Sequence, residues 1–161
     1  MKLKSTMLAV ALCAAFVAPA FAGDATPAAG GYVKPHMTHE SFGTMKIVVP
    51  LTDDKLVGMK LRNISNMMKA LKQWGGKAEV HVVMYAKGVA WLKTPDAKQK
   101  ETLDALRGEG VKFIVCNNTL MEQNIDFHSL YGVKDADVVP SGFAEVAFLQ
   151  ARKHFVVEPA M

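Results

Sequence analysis

From residue 44 onward, apolar runs of strand length alternate with longer stretches in which apolar residues recur every three or four positions. That alternation predicts an α/β domain. In MKIVVPL, residues 45–51, the β-branched Ile47, Val48 and Val49 form an unbroken apolar run, as a strand covered on both faces requires. TDDK then turns the chain into a helix on which Val57, Leu61, Ile64, Met68 and Leu71 share one face, and Gly75-Gly76 stops it. A second strand is predicted in AEVHVVMY, residues 78–85, followed by a loop around Gly88. The next helix lies in TPDAKQKETLDALRGEG, with Thr94 as cap, Pro95 at the first helical position and Gly108 at the end. Most of its surface is polar, which puts it on the outside. VKFIVC, residues 111–116, gives a third strand, and a short helix is predicted to begin at Thr119. ADVVP (136–140) reads as a fourth strand, SGFAEVAFLQARK as a last helix capped by Ser141, and HFVVE (154–158) as a short closing strand. About five strands with intervening helices point to an open, mainly parallel sheet with helices on both faces. The chain has no internal repeat.

The segment before this pattern has a different character. MKLKSTMLAVALCAAFVAPAFAG has the parts of a secretory signal peptide: Lys2 and Lys4, an apolar run from Met7 to Val17, and Ala20-Phe21-Ala22 as cleavage site. The expected organisation is a signal peptide over residues 1–22, a flexible N-terminal arm over 23–43, and an α/β domain over 44–161. A lipid anchor at Cys13 is disfavoured, because Leu12 stands where a small residue is needed. No later run approaches the ~20 apolar residues of a membrane span. The mature protein is therefore expected to be soluble and exported, periplasmic or otherwise, without membrane association after cleavage. Loss of Lys2 and Lys4 lowers the formal net charge from +4 to +2. The remaining charges are interspersed, with no basic stripe, which argues against a nucleic-acid partner.

Of the 2 cysteines, Cys13 leaves with the signal and Cys116 stays alone. An unpaired cysteine in an oxidising compartment is a buried small hydrophobe, a thiol with a function, or a link between chains. Its position favours chemistry, since reactive groups in open α/β sheets gather beyond the carboxyl ends of the strands. Cys116 ends its predicted strand, and TLME after it is a capping-box pattern of Thr119 and Glu122. A helix start there would favour the thiolate, and Asn117 and Asn118 would add amide donors. A persulfide would be held by the same donors. Burial remains the competing reading of the same position, because cysteine is among the most buried residue types.

GVKFIVCNNTL, taken with NISNMMKAL and VHVVMYAKGVAWL upstream, resembles the DsrE/DsrF-like family, over about residues 45 to 158. The resemblance implies a flavodoxin-like α/β fold, assembly into homo-oligomers (trimers or hexamers), and a cysteine that carries sulfur as a persulfide. The matching residue is Cys116. GVKF and NTL match an exported-looking branch better than cytoplasmic relay subunits. The function implied is sulfane sulfur accepted at Cys116 and passed on, with donor and acceptor proteins or small thiols as partners. This describes a carrier more than a turnover enzyme. The alternative is a non-catalytic oligomeric binding module in which Cys116 is structural.

Other chemistry has weaker support. His36 and His39 in HMTH would offer imidazoles to copper, yet only Met37 lies beside them, and Met67, Met68 and Met84 occupy core-like positions. No metal site is assigned. Neither G-x-G-x-x-G nor G-x-x-x-x-G-K-[ST] occurs, and no cofactor is expected. His81 and His154 read as structural or surface residues. His128 is the histidine best placed in sequence to approach the thiol. Asn63 and Asn66, one helical turn apart, face solvent or a neighbouring subunit.

Overall fold

The computed structural model describes residues 41 and 43–158. The predicted signal peptide, nearly all of the predicted arm, and His36 and His39 lie outside the described residues. Strands β1 (Thr44–Leu51), β2 (Lys77–Met84), β3 (Lys112–Cys116), β4 (Val138–Val139) and β5 (Val156–Val157) join one sheet in the order β4-β3-β2-β1-β5. Every pairing among them is parallel. The sheet was expected to be mainly parallel and is wholly so, in a flavodoxin-like α/β arrangement. The last strand returns across the sheet to lie beside β1 at the opposite edge from β4.

Side-chain alternation divides the core. Ile47, Val49 and Leu51 of β1, Val80, Val82 and Met84 of β2, and Phe113 and Val115 of β3 face one way. Helix α1 (Asp54–Gln73) covers them with Val57, Leu61, Ile64 and Met68, and α2 (Ala97–Gly108) adds Leu103 and Leu106. Full burial of each such side chain contributes roughly 1.5–3 kcal/mol. Val48, Val83 and Ile114 face the other way, against Leu149 of α4 (Gly142–Lys153) and Phe155. Cys116 follows Ile114 by two and so projects to this second, thinner layer. There Phe143 and Phe148 of α4 remain exposed.

Several local expectations are corrected. The cap of α2 is Asp96, not Thr94: its carboxylate accepts the Gln99 N–H at 2.8 Å while Gln99 Oε1 accepts the Asp96 N–H at 2.7 Å. That reciprocal pair satisfies two helix-start donors at once, which Thr94 before Pro95 does not do. The loop around Gly88 is a 3-10 helix, Ala86–Leu92. Gly88 is required there, because a Cβ at this position would collide with the Leu51 carbonyl. Strands β4 and β5 are two residues each, shorter than the predicted runs: residues 135–137 form a 3-10 turn, and α4 extends to Lys153 before His154 closes it with φ 59°. Ser141 caps α4 as expected, through a long 3.4 Å bond from the Ala144 N–H.

Candidate functional site

Strand β3 passes directly into a short helix, α3 (Asn117–Glu122), without an intervening loop. Cys116 is itself the helix N-cap, in extended conformation. The predicted Thr119–Glu122 capping box is therefore absent: Thr119 lies inside α3, and Glu122 is its exposed last residue. Direct strand-to-helix passage shifts the helix cap three residues earlier than the capping pattern suggested, from Thr119 to Cys116. Asn117 and Asn118 thus belong to the first turn and not to a connecting loop.

Thr119 has a different task. It is buried, and its Oγ1 accepts the Ala86 N–H at 3.0 Å. Gln123 Nε2 donates to the Ala86 carbonyl at 3.0 Å, so α3 and the residue that follows it pin both peptide groups of Ala86. Ala86 needs that restraint, because its φ of 49° lies in the left-handed region that non-glycine residues avoid. The end of β2 and the start of α3 are thereby locked together around the thiol.

Cys116 keeps only 5% of its surface exposed. Its surroundings are nevertheless polar. Burial pushes the thiol pKa up, more than any one neighbour pulls it down; the Gly142 N–H, the Thr119 hydroxyl and the N–H groups of Thr119 and Asn118 together hold it below its ordinary value. The Cys116 side chain makes no cap bond of good geometry, as expected of a weak sulfur acceptor. The charged thiolate is the species these donors favour. The N–H groups come from the starts of two helices, α3 and α4, which β3 and β4 bring side by side through the Cys116–Val139 register.

Gly142 fixes the approach. A Cβ on it would stand 3.1 Å from Cys116 Cβ and 3.1 Å from Tyr85 Cδ1, tighter than ordinary packing accommodates. Tyr85 therefore lies against the same point as the thiol. Its hydroxyl pKa is raised, first by burial and then by the charge on Cys116, which keeps it a hydrogen-bond donor.

His128 and His81 stay apart from this cluster. His128 is not brought to the thiol: its Nδ1 lies 2.7 Å from Asp126 Oδ1, its side chain is 72% exposed, and it lines a different cleft with Lys93 and Lys100. His81 is buried on the second layer, its ring against Phe155. Asn63 is half-buried and Asn66 exposed. Among the described residues, no three or more His, Cys, Asp or Glu side chains gather to hold a metal ion. No helix there is long and apolar enough to cross a membrane. Sequence reasoning missed Tyr85 and Gly142. A tyrosine ending a strand and a glycine after a helix cap were the available signals, but nothing in the chain linked either to Cys116.

Residues 50–159 match the model of the DsrE/DsrF-like family. The chain belongs to the DsrE/DsrF-like family. A solved structure with the same fold is the protein of unknown function MTH1491 from Methanobacterium thermoautotrophicum, 25% identical, with a TM-score of 0.57. The likeness covers 72% of this chain and 97% of MTH1491. No curated protein matches the chain. The DsrE/DsrF-like match takes in Cys116, Tyr85, Thr119 and Gly142 together.

Proposed function

We propose that this DsrE/DsrF-like protein is a sulfur carrier of an exported compartment, in which Cys116 accepts sulfane sulfur as a persulfide and passes it to a partner. The observation that carries this reading is the ring of donors around Cys116, from Gly142, Thr119 and Asn118, which favours an anionic sulfur despite burial. A thiolate is the form that attacks sulfur, and a persulfide left on Cys116 would retain an anionic terminus for the same donors. The test is intact-mass analysis after exposure to inorganic polysulfide. The wild type should gain about 32 Da, one sulfur, and Cys116→Ala should gain nothing while remaining folded. Equal gain on the Ala variant would remove Cys116 from the chemistry.

Transfer of sulfur requires partners, either donor and acceptor proteins or small thiols. Assembly into a trimer or hexamer accompanies this reading. It is supported by Phe143, 73% exposed, and Met121, 66% exposed, on the two helices that start at the thiol. Light scattering of the mature chain measures the assembly. Export is tested by expressing the full chain and sequencing the N-terminus of the secreted product, which should begin at Gly23.

A second reading has one observation in its favour, the 5% exposure of Cys116. In it the protein is an assembly module and Cys116 is packing. Native-state alkylation by iodoacetamide separates the two: modification under folding conditions supports the carrier, and modification only after denaturation supports the module.

A further inference from the structure

A cavity of about 340 Å³ opens beside β1 at its carboxyl end, lined by Pro50, Leu51, Thr52, Asp53, Lys60 and Tyr85 among others. It lies beyond the carboxyl end of β1, the end of the sheet at which open α/β folds receive ligands. Its volume is at the lower end of the range for small-molecule sites, which suits a molecule of amino-acid size.

The polar groups of the cavity define what would fit. Lys60 is 94% buried along its side chain, with 6% exposed, and its Nζ donates to Glu158 Oε2 at 2.9 Å. An ammonium carries three donors, so two remain after that bond among the described residues. A buried ion pair is a poor source of net stability, since desolvation offsets most of its attraction. Placing a lysine here therefore calls for more than the tie to Glu158. Asp53 also lines the cavity; its Oδ1 caps α1 by accepting the Lys55 N–H at 2.9 Å, and its Oδ2 has no hydrogen-bond partner among the described residues. A simple anion entering would meet Asp53; a simple cation would meet Lys60. A zwitterion satisfies both, with its carboxylate on Lys60 and its amino group on Asp53. Pro50, Leu51 and the Tyr85 ring supply apolar walls for a short side chain.

Tyr85 joins this cavity to the thiol. It lines the cavity, and its ring also meets the point at Gly142 that lies 3.1 Å from Cys116 Cβ. We propose that the cavity between Asp53, Lys60 and Tyr85 binds a small α-amino acid bearing a thiol or persulfide, which exchanges sulfur with Cys116. The proposal rests on the carrier reading of Cys116 and names its small-molecule donor. In the forward step the Cys116 thiolate attacks the outer sulfur of the bound persulfide. The Sγ–S bond forms, the S–S bond of the donor breaks, and the electron pair leaves with the donor's inner sulfur as a thiolate. The outer sulfur keeps its proton, and no external oxidant or reductant is consumed.

Two measurements test it. In the wild type, S-methylcysteine, which has no transferable sulfur, should slow iodoacetamide modification of Cys116 saturably by more than about five-fold, and its N-acetyl methyl ester should not. In loading assays, Lys60→Met should raise the half-saturating concentration of cysteine persulfide about ten-fold. Loading from polysulfide with no protection by S-methylcysteine overturns the amino-acid site while leaving the carrier reading intact. Loading from neither donor overturns both. Should Lys60→Met fail to fold, the wild-type protection experiment decides alone.

Discussion

Thr119 Oγ1 accepts the backbone N–H of Ala86 at 3.0 Å, which leaves the hydroxyl proton of Thr119 to face Cys116. One side chain thus holds a strained backbone in place and orients a donor at the sulfur. The polarity is fixed, because an oxygen already accepting from a peptide N–H turns its own proton elsewhere. Ala86 and Cys116 are distant in sequence, and α3 couples them.

Replacement Thr119→Val keeps the shape and removes both bonds. It should cost about 1–2 kcal/mol of stability, from an N–H left without its acceptor, and should raise the thiol pKa. Chemical denaturation measures the first effect and the pH dependence of alkylation the second. Thr119→Ser should restore most of both.

Gly142→Ala would push a methyl group between Cys116 and Tyr85, where a Cβ has 3.1 Å to each. The expected cost is about 1 kcal/mol or more from overpacking, partly offset by the better helix propensity of alanine. The alkylation pKa of Cys116 should rise as the Gly142 N–H is displaced. An unchanged pKa would show that this N–H does not stabilise the thiolate.

The pH dependence of Cys116 follows from the direction of its shift. Because its folded pKa is depressed, the alkylation rate should reach half its maximum at a lower pH than in the unfolded chain. The sign for stability is fixed in the same way. The thiolate's contribution is complete above the unfolded-state pKa and disappears as pH falls through the folded one. The stability gap between wild type and Cys116→Ala should therefore widen from neutral toward alkaline pH.

His81 acts at lower pH. Its pKa is lowered, first by burial and then by Lys112, with Lys46 adding to this and Glu79 opposing it. Its Nε2 lies 3.3 Å from Glu79 Oε1, but neither ring nitrogen completes a hydrogen bond of good geometry. The unfolded chain then binds the proton more readily than the folded one. Stability should be fully present above the unfolded value of ~6.5 and fall as pH drops through it toward the folded value. Thermal melts of His81→Phe between pH 7 and 5 should show a shallower loss than the wild type. An equal slope would place the acid sensitivity elsewhere.

The chain's own pattern determined the class of fold. Unbroken β-branched runs such as 47–49 can only be satisfied in a sheet covered on both faces, and the four-three spacing from Val57 to Leu71 commits one helix face to it. Those signals are local and repeat along the chain, so they are readable without coordinates. Cys116 was legible for the same reason, as a strand end followed by helix-forming residues. The site around it was decided by tertiary structure. Tyr85, Thr119 and Gly142 meet at the sulfur because parallel strands bring the segments that follow β2, β3 and β4 to one edge of the sheet, and no local pattern encodes which segments become neighbours. The same holds for Lys60 and Glu158, 98 residues apart and 2.9 Å from each other. Strand order, which puts the last strand beside the first, created that pair and the cavity next to it. Strand order is set by the packing of the whole chain, so it is absent from any single stretch of sequence.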